Sequence, residues 1–137
     1  MKETQLMAKI RHIAITAENP AEVAAFYQAA FDMHEVTRNE RQVLLSDGYI
    51  NLTILVPKTE QDADLGPNGL NYSGIHHIGF QVDDLDATSR SLEEAQGKLL
   101  TARERVGTPR EATGRAESKW AGPDGVVIDI SEPGWAV

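Results

Sequence analysis

The sequence contains no cysteine, and this absence removes several kinds of chemistry at once. Without thiols the chain has no disulfide framework, no thiolate zinc site and no cysteine nucleophile. It also has no apolar run of about 18 residues, so we expect no helix that crosses a membrane. Residues 1–6 have no apolar segment of the kind that begins a secretory signal. We therefore expect a cytoplasmic protein.

Positive charge is scarce as well. The chain has 13 Lys and Arg residues against 21 Asp and Glu residues, which gives a net charge of −8 at pH 7. A protein of this sign is repelled by nucleic acids and by anionic membranes, so we expect neither as a partner. Histidine is limited to four residues. Any metal or acid–base site must therefore combine few histidines with Asp, Glu, Asn, Tyr or backbone groups.

An internal repeat organises the chain. Residues 10–15, Ile-Arg-His-Ile-Ala-Ile, align with residues 75–80, Ile-His-His-Ile-Gly-Phe. Each copy begins a strand pattern that is followed by acidic residues and then by a helical pattern, at about 20–31 and at about 83–99. Such a repeat indicates that one structural unit occurs twice. It places His12 and His77 at equivalent positions.

The length of 137 residues suits a single domain with a real core rather than two independent domains. Strand patterns follow each predicted helix, so both halves read βαβββ and the fold class is α+β. We predict module one at about 9–57, a linker at about 58–73, module two at about 74–132 and a tail at 133–137. We also predict that an apolar stripe on the first helix packs on the sheet, and its members are Val23, Phe26, Tyr27, Ala30 and Phe31.

Alternation along the strands separates an apolar face from a polar one. Each module has a single helix, which can cover only one face, and we expect it to cover the apolar rows. The opposite face contains His12, Asn51, His77 and Asp129. Their neighbours on that face are small, which leaves room for a cavity and a ligand. By the same alternation His76 falls on the covered face, and we predict a structural role for it.

The four polar side chains limit the chemistry of such a cavity. Two imidazoles and one carboxylate, in a chain without thiols, are ligands suited to Fe, Mn, Ni or Zn. We therefore predict that His12, His77 and Asp129 bind a divalent metal ion. A metal ion in such a site polarises a carbonyl or binds two vicinal oxygens of a small-molecule substrate.

Three stretches of the chain resemble the vicinal oxygen chelate superfamily, which includes glyoxalases, methylmalonyl-CoA epimerase-like enzymes, extradiol dioxygenases and bleomycin-resistance proteins. They are Arg-His-Ile-Ala-Ile at 11–15 with Phe-Tyr at 26–27, His-Ile-Gly-Phe-Gln-Val-Asp-Asp-Leu at 77–85, and Gly-Pro-Asp-Gly-Val-Val-Ile-Asp at 122–129. The resemblance spans residues 9 to 132 and includes the repeat. It implies a glyoxalase-like fold, in which two tandem βαβββ modules form a curved mixed sheet around a central cavity. It also implies a homodimer, because small members usually dimerise.

The resemblance places the family's metal ligands on three positions of this chain. The two family histidines fall on His12 and His77, and the carboxylate of the last strand falls on Asp129, where the family usually has Glu. The remaining position is Glu or Gln in glyoxalase- and epimerase-like members, and strand phase puts Asn51 there. Because Asn is a poor metal ligand and cannot be a general base, we expect Asn51 to orient the substrate or a water molecule, with direct contact to the metal ion as the alternative. The remaining ligand set resembles that of extradiol dioxygenases.

Further residues are candidates for contact with the substrate. They are Tyr49, Thr53, Gln81, Arg115 and Trp120. Trp120 is of particular interest, since an aromatic ring beside the site could stack on a planar ligand.

Two functions of different kinds remain open at this point. The first is a metal-dependent lyase, isomerase or ring-cleaving dioxygenase that acts on a small molecule with vicinal oxygens. The second is a non-catalytic protein that sequesters a drug or metabolite, as bleomycin-resistance proteins do. Metal analysis of the purified protein discriminates between the two.

Overall fold

The computed structural model describes residues 7–102 and 117–137, which contain two α-helices and eight strands. In chain order they are β1 (Ala8–Thr16), α1 (Pro20–Phe31), β2 (His34–Arg38), β3 (Gln42–Ser46), β4 (Asn51–Leu55), β5 (Gly74–Val82), α2 (Leu85–Glu94), β6 (Lys98–Ala102), β7 (Ser118–Ala121) and β8 (Val127–Ser131). The order βαβββ therefore occurs twice, and the predicted α+β fold is confirmed. The second helix is shorter than predicted, because Gln96 has a positive φ of 72° and the chain turns there into β6.

The eight strands form one mixed sheet in the order β2-β3-β4-β1-β5-β8-β7-β6. Within each module the first strand is parallel to the last, as β1 is to β4 and β5 is to β8. The modules join where β1 pairs with β5 in antiparallel register. The two strands that contain the repeated histidines are therefore neighbours at the centre of the sheet, within one chain.

Both helices begin at side-chain caps that the sequence indicates. Asn19 accepts a hydrogen bond from the backbone N–H of Glu22, and Pro20 occupies the first helical position of α1. Asp84 caps α2 in the same way by accepting from the N–H of Ala87. Neither α1 nor α2, the two α-helices within the described ranges, has the length and apolar character needed to cross a membrane.

The helices pack on one face of the sheet over two small apolar clusters, one in each module. Under α1 the cluster includes the fully buried Ala24, with Val23 and Tyr27 packed against it. The predicted core stripe of α1 is partly wrong, because Phe26 and Phe31 are 62% and 68% exposed. The small side chain of Ala24, and not a phenyl ring, lies between this helix and the sheet.

The tail, residues 133–137, crosses the opposite face of the sheet. Its Trp135 ring stacks on the His12 imidazole, with centroids 4.6 Å apart and planes 7° from parallel. Gly79 makes this contact possible, since a Cβ atom there would lie 2.7 Å from the Trp135 ring and 2.9 Å from the His12 Cβ. The tail therefore covers part of the polar face.

Replacing Gly79 with Ala should lower the midpoint of urea unfolding and shift the tryptophan fluorescence. The added methyl overlaps Trp135 and His12, and overpacking of this kind costs about 1–3 kcal/mol. In a Trp135→Ala background the same change should cost less, because one of its two neighbours is gone. An unchanged unfolding midpoint for Gly79→Ala would contradict the close packing of the tail.

Candidate metal centre

Three side chains from three strands meet on the face opposite the helices. They are His12 on β1, His77 on β5 and Asp129 on β8, all of them buried, and their nearest nitrogen and oxygen atoms lie within 4.8 Å of one another. His12 Nε2 is 3.1 Å from His77 Nε2, and Asp129 Oδ2 is 3.2 Å from the same His77 atom. The register explains the meeting, because Gly79 on β5 pairs with His12 on one side and with Asp129 on the other. Its missing side chain leaves the space that the group occupies.

The hydrogen bonds of Asn51 assign the tautomer of His12. The Asn51 amide nitrogen donates to the carbonyl oxygen of Ala136 at 2.8 Å, so its oxygen faces the other way. That oxygen accepts from the Thr53 hydroxyl at 2.6 Å and lies 2.7 Å from His12 Nδ1. His12 Nδ1 therefore holds the proton, and His12 Nε2 presents a lone pair to the other two residues.

The charge states of the group suit a cation. Burial, aided by the neighbouring His77, lowers the pKa of His12 to about 4, so this imidazole is neutral at pH 7. Burial alone would raise the pKa of Asp129, but the neighbouring His77 and the ammonium of Lys119 outweigh it and hold this pKa well below its ordinary value. The site therefore presents a neutral imidazole beside an ionised carboxylate.

Lys119 is a residue of the cavity that the strand pattern did not indicate. Its ammonium nitrogen lies 2.7 and 2.9 Å from the two oxygens of Asp129, and its side chain is only 16% exposed. Burial acts against the charged form, but Asp129 outweighs burial and raises the pKa of Lys119. The same nitrogen is 3.4 Å from Asp64, which also pairs with Lys58 at 3.1 Å. Neighbouring residues of a strand point to opposite faces, so a core position for Trp120 on β7 would have predicted that Lys119 faces the cavity.

The predicted substrate contact of Trp120 is wrong. Its side chain is 2% exposed and packs with Val82 and Ile130 on the helix side of the sheet. Its indole N–H donates to the Ser118 hydroxyl. The aromatic ring that does line the cavity is Trp135 of the tail, for which the sequence has no periodic signal.

The counterpart of Asp129 in module one is Thr53, and not Asn51 as the strand phase suggested. In the parallel pairs, Ala14 on β1 lies opposite Thr53, and Gly79 on β5 lies opposite Asp129. Ala14 and Gly79 are equivalent in the repeat, so Thr53 and Asp129 are equivalent too. Thr53 lines the cavity, whereas Asn51 is 0% exposed beneath the tail. The prediction that Asn51 contacts the substrate is therefore replaced by a positioning role toward His12.

Two other predicted substrate contacts belong to a cluster around Arg11. Its guanidinium lies 4.1 Å above the ring of Tyr49, which is 48% exposed, and also donates to the Gln81 side chain. Gln81 in turn donates to the carbonyl oxygen of Glu132. Neither Tyr49 nor Gln81 is among the residues that line the cavity. The fifth candidate, Arg115, lies outside the described residues.

The cavity has a volume of about 520 Å³ and is bounded by six of the eight strands, so the sheet curves around it as predicted. Part of its wall comes from residues 58–64 of the linker. Four carboxylates and two lysines are among its lining residues: Asp62, Asp64, Glu117, Asp129, Lys58 and Lys119. The cavity is thus polar, with the group of His12, His77 and Asp129 in its wall.

Comparison with known proteins identifies the class to which this fold and site belong. The family model of the Glyoxalase/Bleomycin resistance protein/Dioxygenase superfamily matches residues 9–130. The chain belongs to this superfamily. No curated protein matches the sequence.

Solved structures share the fold at low sequence identity. Hypothetical protein BH1468 from Bacillus halodurans C-125 aligns with a TM-score of 0.65 and 18% identity, over 95% of this chain and 97% of that one. A variant of Streptomyces coelicolor methylmalonyl-CoA epimerase, in complex with 2-nitronate-propionyl-CoA, aligns with a TM-score of 0.59 and 24% identity. The alignment covers 90% of this chain and 96% of the epimerase chain. A methylmalonyl-CoA epimerase in complex with methylmalonyl-CoA and NH4+ aligns with a TM-score of 0.60 and 24% identity, over 92% of this chain and 94% of that one.

Replacing Asn51 with Ala should destabilise the protein by about 1–3 kcal/mol, because it leaves buried hydrogen-bonding groups of His12, Thr53 and Ala136 without a partner. Denaturant unfolding measures the loss. Asn68→Ala is a matched control, since Asn68 is exposed in the loop between β4 and β5 and should change stability little. Equal unfolding midpoints for the two variants would contradict the central position of Asn51.

Proposed function

We propose that this chain is a metal-dependent enzyme that acts on a small molecule chelating a divalent metal through two vicinal oxygens. The main support is the meeting of two imidazoles and one carboxylate, all buried, with their potential ligand atoms within 4.8 Å. Buried nitrogen and oxygen atoms this close together need a hydrogen or a cation between them. The set of His12, His77 and Asp129 fits such a cation by chemistry as well as by position.

A divalent ion bound by these residues would supply Lewis-acid chemistry and, as iron or manganese, a place for dioxygen. Nickel and zinc accept the same ligand types. Two histidines and one carboxylate form the ligand set that favours non-haem iron and leaves positions for a substrate. His12 and His77 would serve through Nε2, and Asp129 through one carboxylate oxygen.

The reaction that this set supports best is ring-cleaving dioxygenation. A lyase or isomerase that moves a proton needs a base next to the substrate. In the position equivalent to Asp129, module one offers the hydroxyl of Thr53, which is a poor base at neutral pH. Strand β4 therefore offers no base for proton transfer at this position. A ring-cleaving dioxygenase needs neither a base nor a fourth protein ligand there.

The chain's own side chains bind and orient the substrate in this proposal. Lys119 holds Asp129 in place and offers its positive charge to an anionic substrate oxygen. Trp135 lies flat against His12 and excludes water from that side of the site. The cavity volume of about 520 Å³ lies within the range of about 300–1,000 Å³ that is typical of small-molecule sites.

The lysines that line the described part of the cavity are balanced by carboxylates. Both lysines that line the described part of the cavity are paired with carboxylates, Lys58 with Asp64 and Lys119 with Asp129. The lining also contains more carboxylates than lysines.

A second candidate function is metal-free binding of a small molecule, as in the bleomycin-resistance members of the superfamily. The observation that favours it is the pairing of Lys119 with both oxygens of Asp129. This pair neutralises the carboxylate without a metal ion. In that case the cavity would bind an uncharged molecule and release it unchanged.

Metal analysis decides between the two candidates. We expect purified protein incubated with Fe²⁺ or Zn²⁺ and then desalted to retain about one ion per chain, by analogy with sites of this ligand type. His12→Ala and His77→Ala should each lose it, because each removes one of three ligands. His34→Ala is the matched control, since His34 is exposed on β2. Wild-type protein that retains no metal would contradict the enzymatic proposal and favour metal-free binding.

Oxygen consumption separates the enzymatic reactions. With a panel of catechols, the iron-loaded protein should consume oxygen and form a ring-cleaved product, whereas a hemithioacetal should persist unchanged. Asp129→Asn should abolish oxygen consumption, because it replaces an anionic ligand with a neutral amide. Loss of the hemithioacetal without oxygen uptake would instead identify a glyoxalase-type lyase.

The predicted homodimer and the predicted cytoplasmic location stay proposals. The exposed phenyl rings of Phe26 and Phe31 on α1 support the homodimer, since exposed large apolar side chains favour association. Sedimentation velocity of the purified chain measures the oligomeric state directly.

A further inference from the structure

His76 lies next to His77 in sequence and also in space, although neighbouring residues of a strand ordinarily point to opposite faces. The pairing of β5 with β1 explains the exception. His77 lies opposite Ala14 and Ile75 lies opposite Ile15, so His76 is an extra residue without a partner on β1. A bulge of this kind re-aims a side chain. The prediction that His76 belongs to the covered face is therefore wrong.

The bulge brings His76 into hydrogen-bonding contact on both sides of its ring. His76 Nδ1 lies 2.7 Å from His77 Nδ1, with the two rings nearly perpendicular at 83°. On the other side, His76 Nε2 lies 3.2 Å from the carbonyl oxygen of Leu65 in the linker. The chain of contacts therefore runs from a backbone carbonyl through His76 to His77.

The direction of these hydrogen bonds follows from their ends. A carbonyl oxygen can only accept, so His76 Nε2 must be the nitrogen that holds the hydrogen. In a neutral imidazole the other nitrogen is then an acceptor, and His77 Nδ1 must donate to it. His77 Nε2 is left with a lone pair that faces His12 Nε2 and Asp129, an arrangement that a cation among the three atoms stabilises. The reverse direction would let His77 Nε2–H donate to Asp129, but it would set the lone pair of His76 Nε2 against the lone pairs of the Leu65 carbonyl.

We propose that His76 is a positioning residue, which with the Leu65 carbonyl fixes the tautomer and ring orientation of His77 so that Nε2 is ready to bind metal. The inference rests on the proposed metal-dependent function. Asn51 does the same for His12 from the other side of the site, so each histidine has its own orienting partner. The 2.7 Å between His76 Nδ1 and His77 Nδ1 is a hydrogen-bond distance, and His76 acts through His77 rather than as a ligand.

The tautomers are directly measurable in the zinc-loaded protein, which is diamagnetic, by long-range ¹H–¹⁵N correlation spectra of the histidine rings, assigned with single histidine variants. We expect His76 to show its hydrogen on Nε2 and His77 to show its hydrogen on Nδ1. His76 with its hydrogen on Nδ1, or His77 with its hydrogen on Nε2, would overturn the inference. This readout does not depend on activity.

Two substitutions test the consequence for metal binding. His76→Phe keeps a planar ring but removes the acceptor, and zinc affinity measured by chelator competition should fall about 10–100-fold, as for other partners of metal-binding histidines. His76→Asn places an oxygen near the position of Nδ1 and should restore most of the affinity and the His77 tautomer. His34→Phe is the matched control, because the same change at an exposed site should leave affinity unchanged.

The outcomes separate this inference from the function on which it rests. Equal zinc affinity of wild type, His76→Phe and His34→Phe would overturn the positioning role and leave metal binding intact. A wild-type protein that binds no zinc would contradict the metal-dependent function itself, whichever tautomer His77 adopts. Should His76→Phe fail to fold, the tautomers of the wild type and of His76→Asn still decide the question.

Discussion

The antiparallel pairing of β1 with β5 is the interaction on which the rest of the molecule depends. It joins the two modules into one sheet and sets the two repeated histidine strands side by side. Gly79, opposite both His12 and Asp129, provides the space in which their side chains meet. Without this contact each module would have a half-sheet with only one of the two candidate ligand histidines, and the common site would be lost. Fold and site therefore have the same origin.

The interior of the cavity is organised by charge compensation. Lys119 pairs with Asp129 and approaches Asp64, and Asp64 pairs with Lys58. A buried charge without a partner costs several kcal/mol, so these groups hold one another in place as well as neutralising one another. Asp129 connects this network to the two histidines. A cation bound at the histidines would thus share one carboxylate with a lysine, and its affinity depends on how readily Lys119 yields an oxygen.

The strand period of two was enough to predict the face shared by His12, His77 and Asp129, because alternation is a property of the backbone itself. Errors arose where the pairing is irregular. The bulge at His76 reverses the side of its side chain, and the counterpart of Asp129 lies at Thr53, two residues beyond Asn51 on the same strand, where alternation cannot separate the two positions. Neither irregularity has a signature in residue type. The tail has no period at all, so the position of Trp135 depends on tertiary contacts alone.

The segment that crosses the polar face also has a thermodynamic meaning. The carbonyl of Ala136 orients Asn51, and Asn51 orients His12. Binding free energies in such a chain of contacts are reciprocal. A ligand that favours the observed position of His12 would therefore also favour the docked position of residues 133–137, to the extent that Asn51 couples the two. The tail would in this way take part in binding at a cavity that it only partly lines.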